Sequence, residues 1–136
     1  MPSPTVELKL PVLPNMELIA TQTAEVISRH MNLNEDQTAE ISMALIEACI
    51  NAFEHSKTQS NVFIHFVLED DSLVIKVIDN GIGFDKSKIE IPMIENKLGK
   101  EERKRGWGIK LIEELMDSVV YESNSTGTIV TMIKKK

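Results

Sequence analysis

Residues 61–79 read NVFIHFVLEDDSLVIKVID, and they decide the fold. Two runs dense in Val, Ile and Phe, Asn61–Leu68 and Leu73–Asp79, flank the polar turn Glu69-Asp70-Asp71-Ser72. Strands joined by so short a turn pair antiparallel. Within the second strand Leu73, Ile75, Val77 and Asp79 share one parity, so a carboxylate continues an otherwise apolar, inward face. Working outward, Val119–Ser123 and Thr128–Ile133 form another hairpin across the Asn124–Gly127 turn. Thr5–Leu10, closed by Pro11 and Pro14, reads as a first, edge strand. Three helices fill the intervals: 15–31 with Asn15 as N-cap and Asn32 as its stop, 34–56 opened by an Asn34…Gln37 capping box, and 108–117. The clearest apolar stripe is Ile41, Leu45, Cys49, Ala52 and Phe53. The order β-α-α-β-β-loop-α-β-β predicts an α/β two-layer sandwich, a mixed but mainly antiparallel sheet covered on one face by three helices.

The chain has 136 residues, the size of one domain. Hydrophobic residues make up 42%, enough for a packed core, and with aromatics at only 4% that core must be aliphatic. Fifteen Lys and Arg against twenty-one Asp and Glu leave a formal charge of −6, which argues against a general nucleic-acid binder. Cys49 stands alone in an apolar helical run and reads as a buried thiol in a reducing compartment. Neither a membrane span nor a signal peptide is visible, so a cytoplasmic location is expected. Lys134-Lys135-Lys136 reads as a solvated tail. Residues 85–105 break the pattern: 12 of these 21 residues are charged, and a stretch this long between two glycine motifs reads as a mobile lid.

Three groups of residues carry chemistry. Glu47, Asn51 and His55 are spaced by four on the second helix, which places them within roughly 80° of one another at the edge of its apolar stripe. Asparagine is a poor helix former, so Asn51 was selected by something other than propensity. Next, Asp79-Asn80-Gly81-Ile82-Gly83 leaves the strand. A buried carboxylate needs donors, and two glycines beside it let another group approach closely; the exocyclic amine of a base fits both conditions. A calcium loop running from Asp79 to Glu90 fails, because its third and fifth positions are Gly81 and Gly83 and its sixth is Phe84. Last, Arg105-Gly106-Trp107-Gly108 is expected to open a helix, where free amides and the helix dipole make an anion site. No P-loop is present, nor are the His-Arg-Asp and Asp-Phe-Gly signatures of eukaryotic-type kinases.

In order, Glu47-x-x-x-Asn51, Asp79-x-Gly81-x-Gly83, a long lid and Gly106-x-Gly108 resemble the Bergerat-fold (histidine-kinase-like, GHKL) ATPases. The short form with Glu47-x-x-x-Asn51-Ala52-x-x-His55 and the ending Gly106-Trp107-Gly108-Ile109-x-x-Ile112-x-x-Leu115-Met116-Asp117 is similar to the anti-sigma-factor serine/threonine kinases. The resemblance implies a single ATP-binding domain over residues 1–136, with an ATP lid at about 85–105. It implies Mg²⁺ and ATP, with Glu47 as general base, Asn51 as magnesium ligand, Asp79 as adenine reader, and Gly81 and Gly83 against the nucleotide. Arg105, Gly106 and Gly108 would face the phosphates, and Thr128, after Gly127, would support the aspartate. Trp107 departs from the smaller aliphatic common between those glycines; as part of the nucleotide site it is expected to pack in the lid. His55 has no role to carry over. The implied partners are a sigma factor, an anti-anti-sigma (STAS-type) protein as phosphorylation substrate, and a second copy of the chain through the sheet edge and first helix. A non-catalytic, ATP-sensing binding module of the same fold is the alternative. It would need Asn51 and Asp79 but not the base Glu47.

Overall fold

The computed structural model describes residues 3–55, 61–79, 100–124 and 127–136. The elements run β1 (Thr5–Pro11), α1 (Met16–His30), α2 (Glu35–His55), β2 (Asn61–Leu68), β3 (Ser72–Asp79), α3 (Lys100–Leu115), β4 (Ser118–Asn124) and β5 (Gly127–Lys135). The strands form one sheet in the order β1-β2-β3-β5-β4. The expected sheet is antiparallel in every described pairing. The α/β sandwich expected from the element order is what the chain forms.

Alternation builds the core. Val62, Ile64 and Phe66 of β2, Leu73, Ile75 and Val77 of β3, and Val130 and Met132 of β5 are buried on one face of the sheet. Register places Val62 beside Asp79, and Asp79 in turn beside Thr128. Above this face, α2 packs on the sheet and on both α1 and α3, burying Ile41, Ala44, Leu45, Ala48, Cys49 and Ala52. Alanines along α2 let the backbone of this central helix lie close to its neighbours. The opposite face of the sheet carries Phe63, Ile78 and Ile129 in one cross-strand row, all only partly buried.

Local chemistry explains the ends of the helices. At the start of α2 the Gln37 amide donates to Asn34 Oδ1 at 2.7 Å and the Asn34 amide donates to Gln37 Oε1 at 2.9 Å, the reciprocal bonds of a capping box. Helix α1 ends as expected at Asn32, which adopts φ 60°. There the Asn32 amide reaches Arg29 O at 3.1 Å and the Leu33 amide reaches Ser28 O at 3.0 Å, a Schellman arrangement. Asn15 does precede α1, but in a left-handed conformation with φ 70°, and its side chain makes no capping bond. Asparagine tolerates that conformation, so it serves the turn geometry there instead of the amides.

Two further expectations need correction. Helix α3 begins at Lys100, eight residues earlier than position 108, so residues 100–105 of the expected lid are helical. The run Lys-Glu-Glu-Arg-Lys-Arg consists of strong helix formers, whose charge hid their propensity. The lysine tail is also not simply solvated. Lys134, 6% exposed, donates from Nζ to Leu115 O at 2.6 Å and pairs with Glu40 Oε1 at 2.9 Å. Helix α3 has no basic residue in its last turn, and Lys134 supplies the positive charge that end favours. Near the far edge of the same sheet end, the Leu68 amide donates to Pro4 O and the Lys136 amide to Asp71 O, both at 2.9 Å. Residues 4 and 136 thus both reach the β2–β3 turn.

Candidate nucleotide site

The polar strip of α2 meets α3 at Gly108. A methyl group placed on Gly108 would lie 3.0 Å from Glu47 Oε2, and 3.5 and 3.7 Å from Asn51 Nδ2 and Oδ1. Glycine there lets the two helices approach until the carboxylate and the amide face the α3 backbone. Glu47 is partly buried and Asn51 is 8% exposed, so the pair sits at the rim of the core, as the helical spacing required.

A second group gathers at the end of the sheet. Asp79 is 4% exposed at the end of β3, and Thr128, 2% exposed, stands opposite it on β5. A narrow crevice runs between them and α2, lined by Asn51, Ala52, Asp79, Tyr121, Thr128 and Val130 among others. The crevice joins Asp79 and Thr128 to Asn51, and Asn51 leads to Glu47 across Gly108. Four residues named from the sequence, with Gly108, therefore fall in one continuous site. Thr128 lies beside the aspartate but does not support it by a hydrogen bond, because its Oγ1 is buried with no hydrogen-bond partner among the described residues. Leaving a buried hydroxyl unsatisfied costs about 1–3 kcal/mol, and such atoms ordinarily have a water or ligand to meet them.

Arg105, Gly106 and Trp107 belong to the helical backbone of α3. Gly106 and Gly108 consequently lie inside that helix and not at its first turn, where their amides would be free; this corrects the expected anion site at a helix start. Gly81 and Gly83, with residues 85–99 of the expected lid, lie outside the described residues. Cys49 is buried as expected, and burial, with Glu17 adding to it, pushes its thiol up to about 12, which makes it inert.

Sequence reasoning missed Tyr121. Its hydroxyl donates to the Ile109 carbonyl at 3.3 Å, joining the edge strand β4 to α3 one residue beyond Gly108. The signal was present: Val119, Tyr121 and Ser123 share the parity that register sets against Met132, Val130 and Thr128, the core-facing residues of β5.

Comparisons with known proteins bear on the family and on the fold. Residues 13–134 match the histidine kinase-like ATPase domain family. The serine-protein kinase RsbW of Bacillus velezensis is 31% identical over 135 residues, covering 95% of this chain and 84% of its own length. The RsbW of Bacillus licheniformis is 32% identical over 136 residues, with the same two coverages. Among solved structures, the RsbU and RsbW domains of a Mycobacterium tuberculosis protein superpose with a TM-score of 0.71 at 18% identity, covering 98% of this chain and 33% of that longer one. The catalytic domain of the histidine kinase ThkA gives 0.59 at 16% identity, covering 98% and 96%. Likenesses at such identities speak to the fold alone. Among the described residues no helix is long and apolar enough to cross a membrane. With the family match spanning most of its length and RsbW relatives above 30% identity, the chain belongs to the histidine kinase-like ATPases, among the kin of the serine-protein kinase RsbW.

Proposed function

We propose that this protein is an anti-sigma factor with Mg-ATP-dependent serine/threonine kinase activity, which binds a sigma factor and phosphorylates an anti-anti-sigma protein of the STAS type. The observation that carries the reading is the carboxylate of Glu47 next to Asn51 across Gly108. A module that only sensed nucleotide would need the amide and the aspartate, not a base beside them.

The residues suit the nucleotide. Asp79 presents an acceptor to the exocyclic amine of adenine, and the unpartnered Thr128 hydroxyl adds a donor or acceptor at the same end of the crevice. Gly81 and Gly83 follow Asp79 in sequence, and as glycines they bring no side chain that a base would have to displace. Asn51 offers an amide oxygen, a hard ligand that holds a cation without adding negative charge near phosphates. Magnesium, when bound, would neutralise charge on the phosphate oxygens. Glu47 takes the proton of the substrate hydroxyl as that oxygen forms its bond to the γ-phosphorus of ATP, and ADP leaves with the electrons of the broken P–O bond. Arg105 and the backbone at Gly106, Trp107 and Gly108 would meet the phosphates once the start of α3 opens.

Names of the relatives support the serine-kinase part of this reading. A homodimer through the β1 edge and α1 is supported by Leu18, Ile19 and Val26, large apolar residues exposed on α1. The proposed compartment is the cytoplasm. The second reading, an ATP-sensing module without transfer, is favoured by the helical state of Gly106 and Gly108, since a helix turn that phosphates must open could itself report nucleotide. Glu47→Gln separates the two. It should retain Mg-ATP binding by calorimetry and lose radiolabel transfer to the anti-anti-sigma partner by ~10²–10⁴-fold, the usual worth of a general base. Equal transfer by the variant would remove Glu47 from the base role. No transfer by the wild type to any partner it binds under ATP would leave the sensing module.

A further inference from the structure

Tyr121 touches both halves of the site, yet no part of the reaction above uses it. Its side chain lines the crevice together with Asn51, Asp79 and Thr128. Its hydroxyl leaves that wall and donates to Ile109 O at 3.3 Å. Ile109 directly follows Gly108, the residue seated against Glu47 and Asn51. Inside a helix a carbonyl already accepts from the amide four residues on, so the tyrosine takes its second lone pair. The helix does not need that bond to be satisfied; what the bond adds is a fixed distance between β4 and the turn of α3 that faces the base. Burial, reinforced by the nearby Glu113 carboxylate, pushes the phenol above its ordinary value, so the group stays a donor.

We propose that Tyr121 is a positioning residue of the nucleotide site, tying the Asp79–Thr128 crevice to the seating of α3 on Glu47 and Asn51. The inference rests on the nucleotide reading of that site. The aromatic ring and the hydroxyl have separable parts in it. The ring forms the wall of the crevice at its base-binding end and serves ATP and ADP alike. The hydroxyl holds α3 where Glu47 and Asn51 meet it, the end that a γ-phosphate reaches and ADP does not.

Tyr121→Phe keeps the ring and deletes the bond. Calorimetry in Mg²⁺ should then show ADP affinity within about two-fold of wild type and ATP affinity reduced about five-fold, the scale of one ordinary hydrogen bond. The ratio of ATP to ADP affinity is thus the readout, because a loss of general stability would lower both. Tyr121→Leu, which removes ring and hydroxyl together, should weaken ADP as well. An unchanged ATP-to-ADP ratio in Tyr121→Phe would overturn the proposal, and so would an equal loss of both nucleotides accompanied by a lower Tm. If the wild type binds neither nucleotide, the reading of the site itself fails and this inference with it; if the wild type binds both and only the ratio fails to move, the positioning role alone is wrong.

Discussion

At Gly108 a single absent methyl group sets how closely α2 and α3 meet. Alanine is the better helix former by about 1 kcal/mol, so Gly108→Ala should leave the fold intact or slightly stabilise it. The new methyl would crowd Glu47 Oε2 at 3.0 Å and force the carboxylate to give by a few tenths of an ångström. Phosphoryl transfer should therefore fall while Tm holds or rises; a variant with full transfer would show that Glu47 has freedom to spare. Asp79→Asn is the sharper probe of the base end, since an amide can turn a donor toward the adenine amine where an acceptor is required. Calorimetry should find no ATP binding in that variant, and unchanged affinity would sink the pocket assignment. Cys49 gives a pH signature. Its thiol rises from 9.0 to about 12 in the folded chain, so the folded state holds a proton that the unfolded chain releases. Its stabilising effect is complete below pH 9 and is lost as pH climbs toward 12, by at most about 1.4 kcal/mol per pH unit. Urea titrations between pH 8 and 10.5 should show a steeper decline for wild type than for Cys49→Ala.

Among the elements, α2 and β3 were legible because burial and propensity agree in them: the Asn34…Gln37 box and the Leu73–Asp79 alternation each point to one structure. Asn34→Ala removes one half of the box and should lower stability by about 1 kcal/mol, read as a drop in Tm. Helix α3 was legible only in its second half. Ile109, Ile112 and Met116 bury a stripe that periodicity reveals, whereas residues 100–105 carry no apolar signal at all. For those six, propensity was the better guide, and reading charge as loop cost two turns of helix. Lys134 was illegible for another reason. A lysine at the end of a chain says nothing of itself about burial; its partners, Leu115 O and Glu40, come from α3 and α2, and only the packed molecule brings them to it. Lys134→Met keeps the packing of the stem but removes both contacts. Because Glu40 stays partly hydrated, the loss should be about 1–2 kcal/mol and should appear as faster amide exchange in the last turn of α3.

For the whole molecule, the hairpins were readable from turn chemistry, while the insertion of β5 between β3 and β4 was not. That order follows from α3, which carries the chain across the sheet before β4 and β5 are laid down, and no local pattern encodes it. The crossing matters to the site. It places Thr128 beside Asp79 in the middle of the sheet, where helices can roof them, and leaves Tyr121 on the outer strand to reach up to α3. Glu47 and Asn51 stood out by their spacing and by the poor helix propensity of asparagine, Asp79 by a parity that a carboxylate should not occupy, and Tyr121 by none of these.

Residues 4 and 136 both end against the β2–β3 turn, whereas Asp79 and Thr128 close the other end of the same strands. Eight residues of β3 separate the two ends, a distance of roughly 25 Å at the usual rise of a strand. Fluorophores, purification handles or whole fused domains attached at either position would thus stand a strand's length away from the candidate nucleotide site.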